Sequence, residues 1–138
     1  MWSYEHSIET DVDAEAIWRL WTDVAGWGAW NADVERVELA GPFAQGSRIT
    51  MTPVGQEPVE LTIAEVVPGS RFVDEARFGD VVVRTTHGLD PVGPHTTRVT
   101  YRTEITGPAP DDLGPAITAD FPETMAALVK LARETWQR

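Results

Sequence analysis

The chain has 138 residues and sets 22 acidic against 11 basic side chains, a formal charge of −11 at pH 7. That length suits one domain, which should expose roughly 7,000 Å² folded against roughly 22,000 Å² unfolded, leaving room for a core and a pocket inside it. The acidic balance argues against nucleic acid and anionic membranes, where Lys and Arg displace counterions, and the absence of cysteine excludes disulfides, thiolate metal sites and a cysteine nucleophile.

Trp2 to Thr10 alternates as a first strand, with Trp2, Tyr4, His6 and Ile8 on one face. Asp13 is placed to cap a helix whose stripe is Ile17, Leu20, Trp21 and Val24, with Val12 and Ile17 as a hydrophobic staple. Gly26 and Gly28 break it, so Asp23 to Trp30 reads as a second, short helical turn. Six strands follow, over Val34 to Leu39, Ser47 to Thr52, Val59 to Val67, Arg71 to Phe78, Val81 to Leu89 and Thr97 to Thr106. The short Gly and Pro breaks between them imply antiparallel neighbours. The last segment is helical and ends near Trp136, with Ile117, Phe121, Met125, Leu128 and Ala132 on one stripe. Pro122 interrupts that stripe and is expected to kink the helix or split it. The result is a single α+β domain over residues 1–138. No stretch has the basic-then-apolar form of a leader or the length of a membrane span, so a cytoplasmic location without membrane association is expected.

This order, together with Val12-Asp13-Ala14-Glu15-Ala16-Ile17-Trp18, Thr22-Asp23, Trp27, Trp30, Gly41 to Gly46, Val66-Val67-Pro68-Gly69-Ser70-Arg71 and Thr97-Arg98-Val99-Thr100 before Gly107, resembles the START-like (SRPBCC) superfamily. Within it the chain is similar to the bacterial polyketide cyclase/dehydrase-like proteins. The resemblance covers essentially the whole chain. It implies a helix-grip (START/Bet v 1-like) fold, in which a curved antiparallel sheet of about seven strands wraps a long C-terminal helix. That family includes cyclases, lipid carriers and sensors, so the resemblance speaks for fold more than for activity.

The dinucleotide, nucleophile-elbow and phosphate-loop signatures are missing, and His6, His87 and His95 share no metal-ligand spacing. No metal and no cofactor are therefore expected. Alternation assigns Ile49, Met51, Val59, Leu61, Ile63, Phe72, Ala76, Phe78, Val81, Val83, Val99, Tyr101 and Ile105 to the inner face of the sheet. Asp74, Thr85, His87 and Thr103 share that parity. Glu65 shares it with Ile63, unless a bulge returns it to solvent.

Asp74 on an apolar face would have a raised pKa and would act as a general acid or base, or anchor a ligand hydroxyl or amine; in the opposite register it would be solvated. His87 suits proton transfer near neutral pH, with Tyr101 beside it, or is a core histidine satisfied by a carbonyl. If His87 and Asp74 both face the cavity, they are expected to titrate as a coupled pair. Trp27 and Trp30 match the family's tryptophan pair after the first helix, Trp30 as packing and Trp27, between two glycines, as a mobile residue near the mouth. Arg84 and Arg102 read as a solvated outer face.

The expected ligand-binding set is Trp27, Trp30, Met51, Leu61, Ile63, Phe72, Phe78, Val83, Thr85, Thr103, Phe121, Met125 and Leu128, with His87, Asp74 and Tyr101 as catalytic candidates. Three functions fit these residues. The first is a binder of one small hydrophobic molecule, aromatic or polyketide-like, between sheet and helix. The second is a cofactor-independent cyclase or dehydratase with His87 or Asp74 moving the proton. The third is a protein-interaction module whose interior is filled by its own side chains. The chain is expected to be a monomer or homodimer.

Overall fold

A computed structural model describes residues 1–136. Seven strands form one antiparallel sheet: β1 (Trp2–Thr10), β2 (Val34–Ala40), β3 (Arg48–Pro53), β4 (Val59–Val67), β5 (Arg71–Phe78), β6 (Val81–Gly93) and β7 (Thr96–Thr106), in the order β1-β7-β6-β5-β4-β3-β2. Every sequential pair from β2 to β7 is a hairpin, and β1 closes onto β7, the pairing with the longest sequence separation. Helix α1 (Ala14–Thr22) and a 3-10 helix (Val24–Ala29) fill the connection from β1 to β2. Asp13 caps α1, its Oδ1 accepting from the Glu15 amide at 2.9 Å.

The C-terminal element is divided in two, α2 (Leu113–Thr118) and α3 (Phe121–Thr135). Pro122 lies in the first turn of α3, where its missing amide hydrogen has no intrahelical acceptor to lose. The expected interruption is thus a complete break rather than a kink. Phe121, Thr124, Met125, Leu128 and Ala132 make the buried stripe of α3, which packs against α1 and β1.

Strand β6 runs four residues past Leu89, because its hairpin with β7 continues through a bulge at Pro91 to Gly93. A second bulge falls between Ile63 and Glu65. It turns Glu65 outward, where its Oε1 accepts from Arg71 Nε at 2.6 Å. That ion pair and those of Arg84 with Glu75, Arg98 with Glu9 and Arg102 with Glu5 lace the outer face of the sheet. All but the part-buried Arg84–Glu75 pair are substantially exposed, so each of those contributes little to stability. The accessible surface is 7841 Å², close to the value that the chain length leads one to expect.

Two glycines set how the C-terminal segment meets the sheet. Gly107 leaves β7 at φ +93°, and a Cβ there would overlap the Asp80 carbonyl. Gly114 lets α2 settle on the indole of Trp2, where a Cβ would come within 2.5 Å of ring atoms.

Candidate functional site

Pairing registers arrange the inner face of the sheet as rows running across the strands. One row is polar in the middle: Ile63, Asp74, Thr85, Thr103 and Tyr4, from β4 through β5, β6 and β7 to β1. The next is aromatic, Phe72, His87, Tyr101 and His6. On the other side lies an apolar row of Leu61, Ala76, Val83, Ile105 and Trp2. Opposite these rows stand Trp21 of α1, Trp27 of the 3-10 helix, and Phe121, Met125 and Leu128 of α3, all buried.

Asp74 is 8% exposed and lies beside fully buried Ile63. No side-chain hydrogen bond reaches its carboxyl among the described residues, whereas its row neighbours satisfy one another, Thr85 Oγ1 to Thr103 Oγ1 at 3.0 Å. Loss of hydration, and secondarily the adjacent Glu75 charge, raise its pKa from 3.8 to about 7. Near neutral pH this carboxyl can therefore give or take a proton.

His87 is chemically different from what its type leads one to expect. Its ring stacks on Phe72 at 4.0 Å between centroids and 4° between planes, with Trp21 and Tyr101 edge-on. Nδ1 faces the Phe72 carbonyl oxygen at 3.3 Å, which makes Nδ1 the protonated nitrogen, since a carbonyl only accepts. Enclosure lowers its pKa to about 3, the carbonyl bond opposing only in part. His87 is thus a half-buried histidine held neutral by the rings that enclose it.

Tyr101 accepts from Trp21 Nε1 at 3.2 Å. Burial raises its pKa, and the charges of Asp74 and Asp120 raise it further, so all three groups share one electrostatic neighbourhood. Asp120, at the start of α3, went unnoticed in the sequence. Partial burial first, and then a carboxyl–carboxyl hydrogen bond with Asp33 before β2, push it up to about 6. Its only sequence signal is that of an Asp preceding a Pro-started helix.

Two placements correct the sequence reading. Trp27 does not stand at the mouth: it is buried, and its Nε1 donates to the Trp21 carbonyl at 3.0 Å, because the 3-10 helix folds its indole under α1. Phe78 has the inner parity but is 48% exposed, since β5 runs at that end past the cover of the helices. Met51 is half-buried, while Trp30, Leu61, Phe72 and Val83 are buried.

The centre of the grip is filled by rings in contact. Trp21 meets Phe72 at 5.4 Å and Tyr101 at 6.1 Å, Tyr101 meets Phe121 at 5.4 Å, and Phe43, another residue unnoticed in the sequence, meets Phe72 at 5.2 Å. Open space lies toward one end, where Met1, Trp2, Ile105, Gly107, Ala109, Pro110, Asp111 and Gly114 line a half-open depression of about 430 Å³. Ile105 belongs to the row next to the polar one, with Thr103 the next inward residue on β7. A depression of about 480 Å³ on the outer face is lined by Arg71, Arg98 and Arg102, each already ion-paired. No cluster of side chains suited to a metal occurs among the described residues.

The family described as polyketide cyclase / dehydrase and lipid transport matches residues 1–133. The chain belongs to this family. No curated protein matches it significantly. Among solved structures, this polyketide cyclase/dehydrase-family chain is similar to norcoclaurine synthase from Thalictrum flavum in complex with dopamine and hydroxybenzaldehyde, at TM-score 0.75 and 17% identity, over 99% of this chain and 89% of that one. It is also similar to a START superfamily protein from Mycobacterium smegmatis, at TM-score 0.74 and 15% identity, over 97% and 99%. A hypothetical protein, jhp0584, from Helicobacter pylori gives TM-score 0.81 at 13% identity, over 95% and 88%. At such identities these likenesses establish the helix-grip fold. No helix among the described residues is long and apolar enough to cross a membrane.

Proposed function

We propose that this protein binds one small, mostly apolar molecule between the sheet and the C-terminal helices, with Asp74 as its polar anchor. The observation that carries this reading is Asp74, 8% exposed and with no side-chain partner among the described residues, on an otherwise apolar and hydroxyl-lined face. Burying such a group costs several kcal/mol unless something compensates for it, and pockets combine apolar walls with a few such placed groups. The depression at the open end is of suitable size and reaches Ile105 and Trp2, one row away from the polar one.

Because rings fill the centre, a ligand that reaches Asp74 must shift Phe121 and the rings it touches, just after the segment from Gly107 to Asp120. That segment is weakly held: α2 has only six residues, and neither Asp112 nor Asp120 makes a side-chain cap bond to the helix it precedes. Leu61, Ile63, Val83, Thr85, Thr103 and Phe121 then supply the walls, and Met51 and Phe78 the rim. In the catalytic version Asp74 is the proton carrier and Tyr101 orients a carbonyl. His87, neutral and hydrogen-bonded to Phe72, is a poor base there.

The ring-filled centre also favours a second reading, an interaction module with no ligand. Native mass spectrometry of freshly purified protein separates the two. The expected result is a co-purifying adduct of a few hundred daltons that denaturation releases and Asp74→Leu depletes. A bare mass, with no uptake from a small-molecule extract of the source cells, supports the second reading and refutes the first.

A further inference from the structure

We infer that the molecule held between sheet and helices carries a cationic amine, taken by Asp74 in an interior that offers a carboxyl and no basic side chain. This rests on the ligand-binding reading above and names the class of ligand.

The first observation is an imbalance of charge between inside and outside. Among the described residues every Lys and Arg is either exposed or, like Arg84 and Arg102, on the outer face of the sheet paired with acidic neighbours. Buried carboxylates are ordinarily paired with a base or coordinate a metal. Asp74 has neither, and its carboxyl receives no side-chain hydrogen bond among the described residues. The two inner-face histidines do not make up the deficit. His87 is held neutral against Phe72. His6 lies on β1, three strands from β5, which is about 14 Å away at ordinary strand spacing.

The second observation is what surrounds the carboxyl. Phe72, two residues away on the same strand, and Tyr101, close enough to feel the charge of Asp74, belong to a ring cluster that includes Trp21 and Phe121. Ring faces carry negative potential and attract cations, most strongly where water is excluded. A third contribution comes from charge at longer range: Asp111 lines the open end, Asp33 and Asp120 adjoin one another where α3 begins, and the whole chain carries a charge of −11. That field concentrates cations and repels anions. A neutral carbonyl ligand would use only the carboxyl, as a hydrogen-bond donor when protonated, and neither the attraction of the ring faces for cations nor the field. An ammonium on an aromatic or aliphatic skeleton uses all of them, its skeleton against Leu61, Ile63 and Val83 and its charge at Asp74.

The test uses the full chain at 150 mM salt and pH 8, with three probes of nearly equal size: 2-phenylethylamine, 2-phenylethanol and propylbenzene. Amide chemical shifts report affinity and place together. We expect the amine to bind at least tenfold tighter than either neutral probe, with shifts at Asp74, Thr85 and Thr103. Asp74→Asn, nearly isosteric, should abolish that preference and leave propylbenzene binding unchanged. Neutral probes binding at those residues as tightly as the amine would overturn the inference and leave the cavity reading standing. No probe binding inside would overturn both. Amine shifts confined to surface carboxylates would be non-specific attraction to an acidic protein, and would also overturn the inference. The comparison of probes on the unmodified chain decides the matter even if the variant folds poorly.

Discussion

Asp74 gives the most direct test of this structure, because its burial makes stability depend on pH in a defined direction. In the unfolded chain its carboxyl ionises around its ordinary value of 3.8, and in the folded protein at about 7. Below pH 3.8 both states hold the proton and there is no penalty. From there upward the unfolded state loses it while the folded state retains it, so stability falls by about 1.4 kcal/mol per pH unit. The fall ends near pH 7, for a total of about 4 kcal/mol as an upper figure, since relaxation and water entry reduce it. Replacing Asp74 by Leu removes this dependence and keeps most of the volume.

Urea unfolding followed by tryptophan fluorescence, for parent and Asp74→Leu at half-unit steps from pH 4 to 8, reads the effect as a difference. The parent curve alone would mislead. His87 acts in the opposite sense: its pKa falls from 6.5 to about 3 on folding, so its contribution is present above 6.5 and is lost as pH drops toward 3. Between 3.8 and 6.5 the two slopes oppose, while Asp120, raised like Asp74, titrates in both proteins. The variant should gain on the parent steadily, by 2 to 4 kcal/mol between pH 4 and 8, as expected for a carboxyl of this burial (about 1.4 kcal/mol per unit). A difference constant across that range would mean that Asp74 is solvated, and would remove the central support for the proposed site.

Three further outcomes follow from particular contacts. The His87 imidazole should show no titration by NMR between pH 8 and 5, since it is neutral in both the lower and the upper part of that range; a midpoint near 6.5 would contradict its enclosure. Gly114→Ala should lift α2 from Trp2 and cost about 1–3 kcal/mol, with a lower Tm; an unchanged Tm would show that α2 is not docked as described. Hydrogen exchange should be faster over residues 111–120 than over 124–134, because α2 is a six-residue helix without a side-chain cap and α3 runs for 15 residues with a buried stripe; equal protection would argue against displacement of this segment for ligand entry.

The sequence by itself determined the order of elements and the family, because both rest on local signals. Two-residue alternation marks strands, Gly and Pro mark their ends, and Pro122 at a helical stripe demands a kink or a break, whatever the rest of the chain does. It also placed Asp74, Thr85 and Thr103 on the parity of Phe72, Val83 and Tyr101, and it offered the bulge that turns Glu65 outward. Only the tertiary structure decided what those positions experience. Parity says which way a side chain points but not how far the opposing layer extends, so Phe78 points inward yet lies 48% exposed beyond the helices. It does not say which distant groups arrive: the rings that enclose His87 and hold it neutral, and the Trp21 indole that bonds Tyr101, 80 residues away, come from registers and helix docking that no local window contains. The same holds for Asp120, brought beside Asp33 by the break before α3, and for Trp27, drawn inside by its bond to the Trp21 carbonyl. Ionisation and burial depend on all neighbours at once, and those neighbours are assembled only when the sheet closes on the helices.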